Sequence, residues 1–243
     1  GVSIETEDES QQALERLLNL RIAYLPVFSM FLPQEERRLS AAIEDELARG
    51  RVHSVVRNLI LELKNAGRHN ELLEVLRRSF PSLRDLHIEF DEVTDRYITV
   101  SCKEQERPKE FDIFSAGSGF QQFLYLFGFI LQREPSVILL DEPDKHLHGS
   151  LQSVLLEELR GLAGRDRKQV ILATHSRELI SRISPENILA LDERGATRLA
   201  VAFDVYDALD RLGSVDPTQL AVVQAYRRVV VVEDQTDRDL VTT

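Results

Sequence analysis

The residues whose types and spacing could do chemistry sit where apolar runs give way to polar groups. Val137-Ile138-Leu139-Leu140 is followed by Asp141-Glu142-Pro143, and Val170-Ile171-Leu172-Ala173 by Thr174-His175-Ser176. A short apolar run bounded in this way reads as a buried strand of a parallel sheet, and open sheets of that kind place ligands beyond the carboxyl ends of their strands. Asp141 is then positioned to hold a magnesium ion, in part through water, and Glu142 to orient or deprotonate an attacking water. Acidic pairs at strand ends are common, and a lone strand-end histidine usually only caps or faces solvent. If the two strands are neighbours, however, His175 lies beside Glu142 at one sheet edge, where a neutral imidazole reaches a phosphate oxygen or the attacking water. A third element precedes them. Gly117-Ser118-Gly119 opens a run that is apolar on nearly every helical face from Phe120 to Leu131, so that helix must be buried. A serine between glycines leaves free N–H groups and a positive dipole end, which suits an anion; the plainer reading of Ser118 is an ordinary N-cap.

The elements that must position these groups follow from periodicity. Helix 118–132, strand 136–141, helix 149–163 and strand 169–173 alternate as in a parallel α/β sheet. Ile188–Leu191 and Leu199–Phe203 read as added edge strands, 204–226 as helical stretches and Val229–Val232 as a last strand. Upstream, residues 7–20 read as a helix with a leucine stripe, and Arg21–Phe28 as a short strand-like run in which Pro26 marks an edge or an exit. Three amphipathic helices are expected between Pro33 and Phe80. Pro33 with Glu35 and Glu36 suits a helix start, and Gly50 and Gly67 suit the stops. His87–Phe90 and Tyr97–Cys102 read as a hairpin, with Phe111–Phe114 a further short strand.

Composition excludes several classes. In 243 residues, 43% hydrophobic and 29% charged, there is enough apolar material for a sizeable core and too much for a disordered chain. Apolar runs are too short to cross a bilayer, the first residues do not resemble a secretion leader, and a single cysteine, Cys102, excludes an internal disulfide framework. A cytoplasmic location is the expectation. A formal net charge of -11 argues against general coating of nucleic acid, and the short basic clusters (Arg37-Arg38, Arg77-Arg78, Arg227-Arg228) suit solvated helix ends, so nucleic acid stays open but unsupported.

Together these motifs resemble the ABC ATPase superfamily. Ser118-Gly119-Phe120-Gln121 is similar to its serine-glycine-glycine-glutamine signature, with Phe120 in place of the second glycine, and Asp141 follows Ser118 at the spacing of that superfamily. The resemblance implies that Asp141 assists Mg2+, that Glu142 is the catalytic carboxylate and that His175 is the switch histidine. It also implies that Ser118, Gly119 and Gln121 meet ATP bound to a second head, which makes the active unit a head-to-head dimer. Leu140 to His148 resembles the DEP-x-x-HLH run of stand-alone ATPases related to the OLD (overcoming lysogenisation defect) family. His148 stands where transporters carry the D-loop aspartate, which argues against transporter-like cross-talk. His146-Leu147-His148 has the wrong neighbourhood for a metal site. Val229 to Glu233 resembles the opening of a Toprim nuclease domain, in which Glu233 is a metal ligand; Asp234 stands where glycine is usual, and the alternative is a plain edge strand with a polar turn.

A phosphate-binding loop needs glycine-rich backbone followed by Gly-Lys-Ser/Thr, and no such run occurs in the sequence. Two readings compete: a fragment whose N-terminal lobe lies elsewhere, favoured by a start at Gly1 and an end just after a strand, or a degenerate head. The expected fold is therefore α/β, the C-terminal half of a parallel-sheet P-loop NTPase core with a helical lobe inserted. Residues 1–113 would hold the end of an N-terminal lobe plus the helical lobe, 114–204 the core, and 205–243 linker helices and the opening of a Toprim-like domain. The expected function is ATP hydrolysis by a dimerising head that switches an attached effector, such as a nuclease in DNA repair or anti-phage defence. The chain alone would be inactive without the phosphate loop. The alternative is a non-catalytic module that keeps the ATPase shape.

Overall fold

The computed structural model describes residues 20–166, 168–192, 195–198 and 228–232. Strand β1 (Ile22–Leu25) is followed by three helices, α1 (Ser40–Ala48), α2 (Val56–Asn65) and α3 (His69–Ser79). Strands β2 (Leu83–Glu89), β3 (Thr99–Glu104) and β4 (Phe111–Asp112) come next, then helix α4 (Ser118–Arg133) and strand β5 (Val137–Asp141). Helix α5 (Gly149–Asp166), strand β6 (Gln169–Thr174), the short helix α6 (Arg177–Ile180) and strands β7 (Ile188–Asp192), β8 (Gly195–Arg198) and β9 (Arg228–Val232) complete the described elements. The expected helix over 7–20 (apart from Leu20, which is not helical), the strand over 199–203, the helical stretches over 204–226 and Glu233 lie outside the described residues.

Two sheets result. The larger has the order β1-β5-β6-β9-β7-β8, and the smaller is the antiparallel β2-β3-β4. β1, β5 and β6 are parallel neighbours, with Leu25 opposite Leu140 and Leu140 opposite Leu172. The class is thus mixed α/β with a parallel core, as the alternation of elements indicates. β9 runs antiparallel between β6 and β7, so it is an interior strand of the main sheet and not an edge. β8 pairs with β7 as a hairpin and takes the outer place.

Alternation decides which side of the sheet is covered. Leu25, Ile138, Leu140, Val170 and Leu172 share the face that joins the hydrophobic core. On the opposite face Ile22 and Tyr24 are 59% and 52% exposed, and Leu139 and Ile171 are only partly covered. Continuous apolar strands were the expected mark of a sheet buried on both sides; among the described residues β1 is covered on one side only. Helix α4 is the centre of the core, with every residue from Gln121 to Ile130 buried. Its aromatic side chains interlock with the end of α3, Phe80 meeting Phe120 and Phe123 edge-on at 5.1 and 5.3 Å between ring centres.

In the helical lobe, the expected stops hold: Gly50 and Gly67 have φ of 70° and 72°, the left-handed conformation that closes α1 and α2. The expected start at Pro33 does not. Residues 33–39 are not helical, and Glu36 forms an isolated bridge with Tyr97. Glu35 is buried because its carboxylate caps a different helix, accepting the N–H groups of Arg57 (2.9 Å) and Asn58 (2.8 Å) at the mouth of α2. A carboxylate there satisfies two orphan donors and complements the positive end of the helix dipole.

Candidate functional site

The pairing of β5 with β6 puts Asp141 opposite Ala173, so the two strand ends are level. The N–H of Glu142 continues the ladder to the Ala173 carbonyl at 2.9 Å, and the chain then turns sharply, leaving Glu142 at φ 49°. A residue with a Cβ holds that conformation at a cost of about 1–2 kcal/mol and keeps it only where neighbours fix it. The turn carries the Glu142 carboxylate towards β6, where Oε1 lies 3.1 Å from Nε2 of His175. The Glu142 side chain is 24% exposed and that of His175 46%, so the pair faces an open mouth from a partly enclosed position.

The surroundings set the protonation of Glu142. Burial pushes its carboxyl upward; the nearby Asp144 and Asp141 carboxylates push the same way, while His175 and Lys145 oppose them. Asp141 accepts a long hydrogen bond from the Tyr24 hydroxyl across β1 (3.4 Å), and burial together with that carboxylate raises the tyrosine. No lysine or arginine among the described residues forms an ion pair with Asp141.

Behind the pair lies a network that sequence reasoning did not single out. Thr174, 1% exposed, donates from Oγ1 to Oδ1 of the buried Asp144 at 2.5 Å, and the same hydroxyl oxygen accepts the N–H of Ser176 at 2.9 Å. The Ser176 hydroxyl donates to Gln152 of α5 at 2.6 Å and caps α6 through the Leu179 N–H. Burial raises the Asp144 carboxyl, and the Thr174 hydrogen bond opposes the rise. The signal was present in the sequence: Asp144 is a third carboxylate in the run Asp141 to Asp144, and Thr174 stands directly before His175.

The mouth of α4 is built differently. Ser118 is exposed at the first position of the helix, whose N-cap is Gly117 and which no side chain caps. Its first backbone N–H groups are therefore free to bond an anion. Gly119 permits close packing: a Cβ there would come within 3.0 Å of Leu151 Cδ1 and 3.4 Å of Leu147 Cδ2. Gln121, expected at the ligand, is turned the other way. It is 2% exposed, and its amide donates to the carbonyls of Ile113 (3.0 Å), Phe114 (2.8 Å) and Ala116 (3.3 Å). The physical reason is that the 113–116 turn presents carbonyls that a buried amide satisfies, so Gln121 shapes the turn and does not reach outward. Arg57 of α2 braces the same turn. It is 2% exposed and pairs two-pronged with Asp112 at 2.6 and 2.9 Å, while Asp112 accepts the Phe114 N–H.

A cavity of about 340 Å³ opens beside Ser118, lined among others by Phe80, Phe111, Phe120, Arg107, His146 and His148. Cys102 also lines it, buried, with its thiol pushed up to about 12 by burial, as for an unreactive residue packed among apolar neighbours. Among the described residues no group of three or more His, Cys, Asp or Glu could hold a metal ion by itself, His146 and His148 included. No described helix is long and apolar enough to cross a membrane.

Comparison with known proteins supplies a family. No curated protein sequence matches the chain. Among solved structures, the chain is similar to one from a study of ATP-driven dimerization and DNA-stimulated activation of SMC ATPases, at 11% identity and a TM-score of 0.46, covering 59% of this chain and 89% of that one. It is similar to the Smc head domain from Pyrococcus furiosus, solved with an extended coiled coil and bound to the C-terminal domain of ScpA (10%, TM-score 0.41, 71% of this chain and 46% of that one). The Smc head domain from Pyrococcus yayanosii, with a coiled coil and joint, gives 13%, a TM-score of 0.46, and 71% and 33% coverage. The chain thus spans less than half the length of each Pyrococcus head chain. The sequence profile described as "AAA domain, putative AbiEii toxin, Type IV TA system" matches residues 34–181, from the helical lobe through α4, both strand ends and His175. With more than half of its length inside that profile, the chain belongs to this AAA-domain family.

Proposed function

We propose that the chain is the part of an ATPase head that carries its water-activating carboxylate and its signature helix. The observation that carries this reading is the 3.1 Å approach of Glu142 and His175 on neighbouring parallel strands, beside Asp141. Glu142 would orient the attacking water and accept its proton, a role suited by a carboxyl that burial has raised. His175 would hold that carboxylate in one rotamer and face the same mouth. Asp141 fits magnesium in the way such sites usually use a carboxylate: one protein ligand, with phosphate oxygens and water completing the shell. ATP with its magnesium supplies the phosphoryl group that water attacks. The Ser118 hydroxyl and the free N–H groups of α4 would bind the terminal phosphate of a nucleotide held by a second head. That makes the active unit a dimer that closes on ATP and opens after hydrolysis, switching an attached effector in a reducing, cytoplasmic setting. Kinship to the OLD group, a nuclease effector and a role in DNA repair or anti-phage defence belong to this proposal, as does the division of the chain at residues 113 and 204.

The absence of a Gly-Lys-Ser/Thr run favours one second reading, a non-catalytic module that keeps the ATPase shape. The test is Glu142→Gln in the full-length gene product. Turnover should fall by about 10³-fold, within the range of general-base catalysis, and ATP should trap a dimer in size-exclusion chromatography. Turnover unchanged by this substitution sinks the role of Glu142, and no nucleotide binding by the wild-type product establishes the second reading.

A further inference from the structure

Glu142 sits in a left-handed conformation that its neighbours must enforce, and the main chain of β6 secures only one side of it, through the Glu142 N–H. On the other side stands Pro143, buried, which has no N–H to give. Its carbonyl is taken by a side chain from another element: Gln122 of α4, 1% exposed, donates from Nε2 at 2.5 Å. The other half of that amide, Oε1, is buried with no hydrogen-bond partner. An apolar side chain of the same size would remove that orphan oxygen but leave the buried Pro143 carbonyl unpaired, so the glutamine serves that carbonyl and not packing. Gln122 also lies four residues after Ser118, one turn along the same face of α4.

We propose that Gln122 is a positioning residue that ties the helix bearing Ser118 to the backbone beside Glu142. This deepens the proposed function and rests on it: what binds at the mouth of α4 and what happens at the strand end are joined inside one head. A small shift of α4 moves the Pro143 carbonyl, and the strained peptide at Glu142 turns with it, changing the aim of the carboxylate at water. The D-loop position held by His148 is not needed for such a link. Asp144 secures the turn through Thr174, and the Lys145 N–H holds the Glu142 carbonyl at 3.2 Å, so the tie from α4 acts at the one carbonyl between them, that of Pro143.

Two variants test it. Gln122→Met keeps the volume, removes the donor and removes the unpartnered oxygen; Gln122→Glu keeps the shape and puts a carboxylate against the Pro143 carbonyl. In the full-length gene product both should lower kcat by about tenfold or more, the scale of a sub-ångström misplacement, with KM for ATP within about twofold. The Gln122→Met protein loses the donor to the Pro143 carbonyl but also the unpartnered oxygen, so its melting point should fall only slightly, far less than the kinetic effect requires. In this chain alone, amide exchange at Glu142, Asp144 and Lys145 should quicken by roughly fivefold in Gln122→Met while that of α5 stays the same. Unchanged exchange overturns the proposal, as does a kcat within twofold of wild type or a loss of kcat that tracks a lowered melting point. If the wild-type product hydrolyses no ATP, the ATPase reading fails, and the exchange comparison still decides whether the tie exists.

Discussion

The strand end and the helix mouth carry the two halves of the candidate chemistry, and they are held in opposite ways. At the strand end, Asp141, Glu142 and His175 are placed mainly by backbone, through two paired strands, a ladder bond from the Glu142 N–H and a tight turn, with the Gln122 and Thr174 side chains bracing that turn from behind. At the helix mouth, the turn before Ser118 is held by side chains, Gln121 of α4 itself gathering three of its carbonyls and Arg57 of α2 gripping Asp112. The strand end is complete within the chain, since the carboxylate meets its histidine. At the helix mouth Ser118 is exposed and no side chain among the described residues caps the helix. A pre-formed pair suits catalysis within one head, and an exposed ring of donors suits a ligand delivered by another molecule.

If this contrast is right, the strand end should respond in turnover and the helix mouth in stability. The largest effect after loss of Glu142 itself belongs to its partner. His175→Ala should reduce ATP turnover of the full-length gene product about 10²-fold, equivalent to about 2.7 kcal/mol in the barrier, with the fold intact by circular dichroism. A thermal shift as large as the kinetic one would mean that the histidine is structural. At the mouth the order reverses. Arg57→Ala leaves a large void, strands Asp112 and loosens the Ser118 turn, and chemical denaturation of the chain should show a loss of about 2 kcal/mol. Arg57→Lys should recover part of it, since an ammonium cannot grip both oxygens.

A smaller effect is expected at Gly119, where Gly119→Ala would bring a methyl to 3.0 Å from Leu151 Cδ1. Leucine ends yield, so a loss of about 1 kcal/mol in denaturant unfolding is expected, and Leu151→Ala in the same protein should remove most of the clash. The smallest concerns pH. Burial raises Glu142 in the folded chain, so the unfolded chain ionises it first and its contribution favours folding most at low pH, falling as pH rises through the raised value. Glu142→Gln removes this term. It should raise the melting temperature slightly at pH 7–8 and leave it unchanged near pH 4, measured by calorimetry of this chain; a rise equal at both pH values would locate the effect elsewhere.

The parts of the site readable in the sequence were those in which period and position coincide. Val137–Leu140 and Val170–Ala173 read as buried strands because each is a short run of four apolar residues bounded by polar ones, and the helix from Ser118 reads as central because its apolar run is longer and covers nearly every face. Glu35 was misread for a related reason: a proline followed by two acidic residues is the local mark of a helix start, and only the fold reveals that the carboxylate caps a helix more than twenty residues further on. Gln121 was placed at the ligand because its spacing matched a signature, but spacing does not fix the direction of a side chain; three carbonyls in the 113–116 turn did.

The sequence by itself determined the class of the fold, the two strand ends and the helix between them, because apolar periodicity and chain polarity are local properties. It also determined which residues could do chemistry, since carboxylates and an imidazole at strand ends are visible as letters. Only the tertiary structure decided that Glu142 and His175 meet at 3.1 Å, that Glu142 is held in a left-handed turn, that Gln122 reaches the peptide behind it and that β9 enters the middle of the sheet. Each of these depends on strand order and on which face of a helix is turned inward, and such choices are settled by the burial of distant segments against one another.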